Sequence, residues 1–326
     1  MHSPGHGIRL RSSARSDRGR VRQNNEDNVH LWAEERHVLA VVADGMGGAV
    51  AGEEASRIAI ETIHEQMENS IFRSPDDYQN LDSDDLADRL SEAIRQANLN
   101  IINRAQDMPE LKGMGTTVTL AFARRSDVVL AHVGDSRAYL VDGDTGNINQ
   151  VTSDHSFVQA LIDAGHITAQ EADSHPMRNV LYRALGQAED LEVDMYQGVY
   201  LHIGDRLVLC SDGLTLHLNS EEIAEAALSS DDPNAISDTL IERANERGGK
   251  DNISVIVIIA QEDLDEETQI MAHISSADYE DDDVLTIPNN PDFHSVTHMK
   301  KAERNSENNP QAANFGEGHD TLEPFQ

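Results

Sequence analysis

TVTLAFARRSDVVLAHVGDSRAYLV, residues 117–141, holds three apolar runs of strand length with only short polar links between them. Residues 117–123, 128–133 and 137–141 read as strands, joined by Arg124-Arg125-Ser126 and Gly134-Asp135-Ser136. A parallel crossover needs about a dozen residues or more, so links this short imply antiparallel neighbours. A purely doubly wound parallel sheet is excluded. Asp142-Gly143 and Thr145-Gly146 then mark a turn into residues 147–151, extending the meander.

Outward from this stretch, strand patterns alternate with helical ones. The run from His37 to Val42 stops at Ala43-Asp44-Gly45, a strand followed by a turn. Ala55, Ile58, Ala59, Ile63 and Met67 recur at helical spacing within residues 51–67, as do Leu90, Ala93, Ile94, Ala97 and Ile101 within residues 86–105. Arg206 to Cys210 reads as a strand ending in Ser211-Asp212-Gly213, residues 221–228 and 235–246 as helices, and residues 253–260 as a closing core strand. Residues 152–190 carry a short helical pattern (Phe157, Leu161, Ile162) and a polar insert with His155, His166 and His175, expected to form a mobile flap over the sheet. The fold class is α+β, with antiparallel sheets covered by long helices.

The chain has 326 residues, 59 of them acidic and 25 basic, for a formal charge of −34. A nucleic-acid binder needs a basic stripe, and none is present. At 38% hydrophobic residues the chain can build a core. Cys210 is the only cysteine, which excludes an internal disulfide and a cysteine-based zinc cluster and points to a reducing, cytoplasmic setting. No apolar run reaches the roughly 18 residues of a membrane span. The first 16 residues carry Arg9, Arg11 and Arg15 without an apolar core, so they read as a frayed end with residues 1–7 flexible, not as a secretory signal. Residues 261–326 hold 16 acidic residues against Lys300, Lys301 and Arg304 and are expected to be a disordered acidic tail. The body, residues 8–260, is acidic in its own right and is taken as a monomer acting away from membranes.

An aspartate recurs where an apolar strand ends: Asp44, Asp135 and Asp212, with Asp251 just before the last strand. Each alone is an ordinary turn residue. Gathered at one sheet edge, such carboxylates would repel one another unless cations held them together. Oxygen ligands of this kind select Mg or Mn over Zn or Cu. Upstream, Arg22-Gln23-Asn24-Asn25-Glu26-Asp27 places one arginine beside two acids. A guanidinium can hold phosphate oxygens bidentately while a carboxylate orients ion-bound water, which suggests phosphoryl chemistry.

At this point the chain resembles the metal-dependent protein phosphatases of type 2C, in their bacterial Ser/Thr phosphatase branch. The resemblance is carried in order by Ser16-Asp17-Arg18-Gly19 with Arg22 and Asn25-Glu26-Asp27; Ala43-Asp44-Gly45-Met46-Gly47-Gly48; Gly113-Met114-Gly115-Thr116-Thr117; Val133-Gly134-Asp135-Ser136-Arg137; Ser211-Asp212-Gly213; and Gly249-Lys250-Asp251-Asn252-Ile253-Ser254-Val255. It implies a central β-sandwich of two antiparallel sheets flanked by pairs of helices, with the site at one end.

It further implies two tightly bound Mn or Mg ions and a third, weaker one. Asp44 would bridge the two ions, the Gly45 carbonyl would serve the second, and Asp212 and Asp251 would complete the first. Asp135 would share the third ion with Asp212. Glu26 and Asp27 would orient the surrounding waters, and Arg22 would bind the phosphate of the substrate. The implied reaction is hydrolysis of phosphoserine and phosphothreonine in proteins by an ion-activated water, opposing a bacterial kinase of eukaryotic type. Eukaryotic relatives place a general-acid histidine where this chain has Met46, so the leaving-group proton would come from an ion-bound water or from a flap histidine such as His155. His132, within a strand, is expected to be core, and Thr116-Thr117 to begin a strand without contacting substrate. A non-catalytic binding module on the same fold would have lost a carboxylate or Arg22, and all are present.

Overall fold

The structure is a computed structural model and describes residues 7–34, 36–70 and 81–263. Strands and helices are numbered in chain order. One five-stranded sheet has the order β1 (Gly7–Asp17), β12 (Ile253–Asp263), β11 (Arg206–Cys210), β8 (Arg137–Val141), β9 (Ile148–Gln150). The other has the order β10 (Asp194–Tyr200), β7 (Asp127–Val133), β6 (Val118–Arg124), β3 (His37–Ala43), β2 (Asn28–Glu34). All neighbours pair antiparallel. A small ribbon joins β4 (Gly45–Met46) to β5 (Gly115–Thr116).

The helices are α1 (Ala49–Ser70), α2 (Ser83–Asp107), α3 (Phe157–Asp163), α4 (Ala169–Asp173), α5 (Asp212–Thr215), α6 (Ser220–Ala227) and α7 (Pro233–Glu246). Side-chain caps fix where several begin. Asp82 accepts from the Asp85 amide at the start of α2, and Asn219 and Glu222 form a reciprocal capping box on α6.

Strand alternation explains the layering. In β3, Val38, Ala40 and Val42 meet Leu207, Leu209, Ile256 and Ile258 between the two sheets. Leu39, Val41 and Ala43 turn the other way, onto Ala55, Ala59 and Ile63 of α1 and Leu90 and Ile94 of α2. β12 repeats the scheme: Ile256, Ile258 and Ala260 face the opposite sheet, while Val255, Val257 and Ile259 pack on Ile223 of α6 and Ile236 and Leu240 of α7. Both strands hold a continuous apolar run, residues 38–43 in β3 and 255–260 in β12, because each is buried there on both faces. The result is the expected α+β sandwich of two antiparallel sheets between helices. No helix among the described residues is long and apolar enough to cross a membrane.

Three sequence expectations need correction. The link Gly134-Asp135-Ser136 does not close a hairpin: β7 and β8 lie in different sheets, so these residues form an arch between them. Gly134 makes it possible with φ 117°, and a Cβ there would come within 2.5 Å of the Thr117 side chain. Short links demand neighbours in space, and the two layers of a sandwich satisfy that demand as well as two strands of one sheet.

The frayed end is also overturned from Gly7 onward, because β1 pairs with β12 from Gly7↔Asp263 to Asp17↔Ile253. Leu10 enters the inter-sheet core, while Arg11 and Arg15 reach Asp232 and Asp238 at 3.4 and 2.9 Å. The arginines that read as part of a frayed end lie on the outer face of a strand. By the same pairing the folded body extends to Asp263, three residues past the expected boundary. Strands β2 and β10 are additional to those expected from the sequence. The rest of the acidic tail, 264–326, and residues 1–6 lie outside the described residues.

Ile256 is fully buried between the sheets, so Ile256→Ala is expected to lower unfolding free energy by about 2–5 kcal/mol in denaturant titration. Val50→Ala, on an exposed position of α1, should change it by no more than about 0.5 kcal/mol.

Candidate active site

One end of the sandwich collects the strand-end aspartates. Asp44 follows β3, Asp135 sits in the inter-sheet arch, Asp212 opens α5 directly after β11, and Asp251 precedes β12. The segment between β1 and β2 brings Arg22 and Glu26 to the same place. Together with Gly45 these residues line a cavity of about 490 Å³, closed on another side by Asn179, Val180, Leu181 and Gln187 of the 152–190 segment. Asp27 lies behind the wall, 5% exposed.

The Asp44 backbone is pinned from two threonines. Its N–H donates to Thr117 Oγ1 at 3.0 Å, and its carbonyl accepts from the Thr117 amide at 2.9 Å and from Thr116 Oγ1 at 2.8 Å. Thr117 Oγ1 also bonds Ser136 Oγ at 2.8 Å, tying the Asp44 turn to the arch that carries Asp135. Gly45 has no room for a side chain: a Cβ would lie 2.2 Å from the Gly52 carbonyl oxygen and 2.6 Å from that of Glu26.

Asn252 organises the opposite wall. Its Oδ1 accepts from the Glu26 amide at 2.9 Å, and its Nδ2 donates to the carbonyls of Arg18 and Asn24, each at 2.9 Å. The buried Asp27 accepts from Ser211 Oγ at 2.8 Å and from Ser254 Oγ at 2.7 Å. Neither the threonine pair, Ser136, Asn252 nor the two serines were singled out from the sequence as supports. The signal available was their position: each directly adjoins one of the aspartates or its motif.

The electrostatics are dominated by confinement of like charge. Burial, then Asp27, Asp212, Asp135 and Asp251, push the Asp44 carboxyl well above its ordinary range. Burial and Asp251 raise Asp212 to about 6 against the opposing effects of a hydrogen bond with Asp44 and of Arg22 and Arg137. Asp27 rises to about 7, chiefly by burial, with the Ser254 and Ser211 hydroxyls working the other way. Burial, Asp212 and Asp154 raise Asp135, opposed by Arg137. Burial works against the Arg22 charge, but its bond to Asp251 and the nearby Glu26 and Asp212 hold its pKa above normal. Arg22 Nη2 lies 2.7 Å from Asp251 Oδ2, and Nη1 lies 3.7 Å from Glu26 Oε1.

Among the described residues, no three His, Cys, Asp or Glu side chains stand as a ready-made ion-binding group. The donor chemistry nevertheless suits hard divalent cations. The charged donors on the cavity wall are carboxylates, with no histidine or cysteine among them, and their mutual repulsion is the kind a divalent ion relieves.

His155 does not belong to this cavity. It is 2% exposed, its Nδ1 accepts from the Gly134 amide at 3.1 Å, and its Nε2 faces Asp194 Oδ2 at 3.1 Å. With both ring nitrogens engaged in the fold, it is not placed to protonate a leaving group there. The polar context hid its burial. His132 is core as expected, with Nδ1 3.0 Å from Thr119 Oγ1.

Asn252→Ala removes three bonds that hold the 18–27 segment, and is expected to cost about 2–4 kcal/mol of stability and to raise amide exchange at Glu26. Unchanged exchange at Glu26 would mean that the clamp is redundant.

Known proteins resemble this chain in sequence and in fold. The sequence model of the family described as Protein phosphatase 2C matches residues 17–254. The serine/threonine protein phosphatase PstP of Mycobacterium tuberculosis is 40% identical over 286 residues, 86% of this chain. The chain spans 50% of that protein's length. The serine/threonine phosphatase stp of Listeria innocua is 36% identical over 250 residues, covering 76% of this chain and 95% of its own. Among solved structures, the catalytic domain of PstP in complex with two manganese ions superposes with a TM-score of 0.64 at 38% identity, over 78% of this chain and 99% of that one. By sequence and by fold, the chain belongs to the protein phosphatase 2C family, in its bacterial branch of serine/threonine phosphatases.

Proposed function

We propose that the chain hydrolyses phosphoserine and phosphothreonine in proteins with the help of bound Mn or Mg. The observation that carries this reading is a cavity walled by the carboxylates of Glu26, Asp44, Asp135, Asp212 and Asp251 with the Arg22 guanidinium at its edge. Asp44, the Gly45 carbonyl, Asp212 and Asp251 would hold two ions, and Asp135 with Asp212 a third. When bound, such ions supply a water nucleophile acidic enough for use near neutral pH.

The chain's own residues do the rest. The Thr116–Thr117 pair holds the Asp44 backbone, so the central carboxylate meets its ligand without reorganising. Arg22, with a side chain 47% exposed, can exchange its bond to Asp251 for a bidentate grip on phosphate oxygens and orient the phosphorus for in-line attack. Glu26 and Asp27, held by Asn252 and by the Ser211 and Ser254 hydroxyls, would orient water around the ions. No side-chain nucleophile is required: Cys210 is buried in β11, its thiol pushed up to about 12, and Ser211 donates to Asp27. A phosphatase of this specificity acts on the products of a serine/threonine kinase, which it would oppose.

Phosphate release from a phosphothreonine peptide is expected to stop with EDTA, to return with Mn, and to fall on the order of 10²–10³-fold in Asp44→Ala and Asp212→Ala. Arg22→Ala should lower kcat/KM about 10- to 100-fold, with Arg22→Lys recovering little of it, because an ammonium lacks the planar fork. Full activity in EDTA-treated, ion-free enzyme would refute the reading.

A further inference from the structure

Beside the catalytic cavity lies a second one of about 300 Å³, and Gln187 lines both. Its apolar walls come from Tyr182, Ala184, Ala188 and Leu191, and its carboxylates from Asp190 and Glu192. Arg183 lines it but is already engaged, and its guanidinium also lies 5.8 Å from the Tyr182 ring centroid. Arg183 bonds Glu192 through Nη2 at 2.8 Å and Asp194 through Nη1, and Arg95 Nε donates to the Leu191 carbonyl at 3.4 Å. Asp190, by contrast, has no hydrogen-bond or ion-pair partner among the described residues. The Tyr182 side chain is left 54% exposed beside it, and Val180, which lines the catalytic cavity, is 42% exposed.

We propose that this side cavity binds an arginine or lysine side chain of the phosphoprotein substrate, a few residues from the phosphorylated serine or threonine. Resting on the phosphatase reading above, the inference names the substrate class: phosphosites flanked by a basic residue. The chemistry matches that side chain in both its parts. A basic residue is a hydrocarbon stem carrying a cation, and the cavity offers apolar walls together with an uncommitted carboxylate. Its size suits one side chain and not a folded partner. Continuity through Gln187 puts the occupant within a short peptide's reach of the phosphate position. The sign of the whole chain agrees, since a formal charge of −34 draws basic segments towards it and disfavours acidic ones.

The test uses the full chain with Mn and a set of phosphothreonine peptides in which one flanking position at a time carries Arg, Ala or Glu. At one or two positions Arg should exceed Ala in kcat/KM by roughly 5- to 20-fold, the size of one charge-assisted contact at a partly open site. Added salt should shrink that ratio. Asp190→Asn should bring the Arg-to-Ala ratio close to one, and Asp190→Lys should reverse the preference in favour of Glu. Because each ratio is taken within one variant, general damage to the enzyme cancels. A flat ratio at every position in the unaltered chain, or a preference that survives both substitutions, would overturn the proposal. Turnover of p-nitrophenyl phosphate, which has no flanking residue, separates the two readings. If neither it nor any peptide is hydrolysed, the phosphatase reading fails; if it is hydrolysed while the peptides show no preference, only the side cavity's role fails.

Discussion

Like charge held close together in a confined space is the condition around which this molecule is built. Asp44, Asp135, Asp212 and Asp251 line one cavity, and Asp27 lies just behind it. Asp27, Asp135, Asp212 and Asp251 each raise the proton affinity of Asp44, on top of what burial does there. Side chains on loose loops would relieve such repulsion by drifting apart. Here they sit where strands end, and those strands cannot drift, because β3 and β12 are packed on both faces, by the opposite sheet and by helices. The apolar layers therefore stabilise the site as well as the fold.

A second tier of polar bonds transmits that rigidity over the last few ångströms. The chain Asp44 backbone, Thr117, Ser136 links a turn of one sheet to the arch that crosses into the other. Asn252 does the same for the segment carrying Arg22 and Glu26, by satisfying an amide and two carbonyls that would otherwise need water. These residues are uncharged and spend their hydrogen bonds on backbone and on one another, so they add no further charge to a cavity already crowded with it.

How much of this could be read from the sequence follows from what kind of signal each feature leaves. Ile63 repeats with its neighbours at helical spacing, while Val41 and Ile256 sit in continuous apolar runs of strand length, so helices, core strands and the α+β class were legible. The motif aspartates stood out because each interrupts an apolar run. The Gly134–Ser136 link was misread because chain length limits distance and does not say which sheet the next strand joins. β1 was missed because its outward residues are arginines whose partners, Asp232 and Asp238, lie more than two hundred positions away. His155 was placed on a polar insert for a similar reason: the Gly134 and Asp194 groups that bury and bond it are distant in sequence. Local pattern reports local partners, and these three features depend on remote ones.

The charge on the cavity wall bears on binding as well as on chemistry. Glu26, Asp44, Asp135, Asp212 and Asp251 face it, and among the described residues Arg22 is the only basic one that does. A phosphate monoester carries about −1.5 to −2 charges at neutral pH, so this wall alone would repel it at the same range over which Arg22 attracts it. Arg22 is moreover engaged with Asp251 and near Glu26, and it must loosen that attachment to serve a phosphate. Divalent cations on the carboxylates would offset most of the wall's negative charge and free the guanidinium in one step, since the oxygen that Arg22 holds on Asp251 belongs to one of the proposed ligands. The ions would then be needed to admit the substrate before they are needed to transform it, and Arg22 would change from a neutralising partner of the carboxylates to a phosphate-binding group only with them in place.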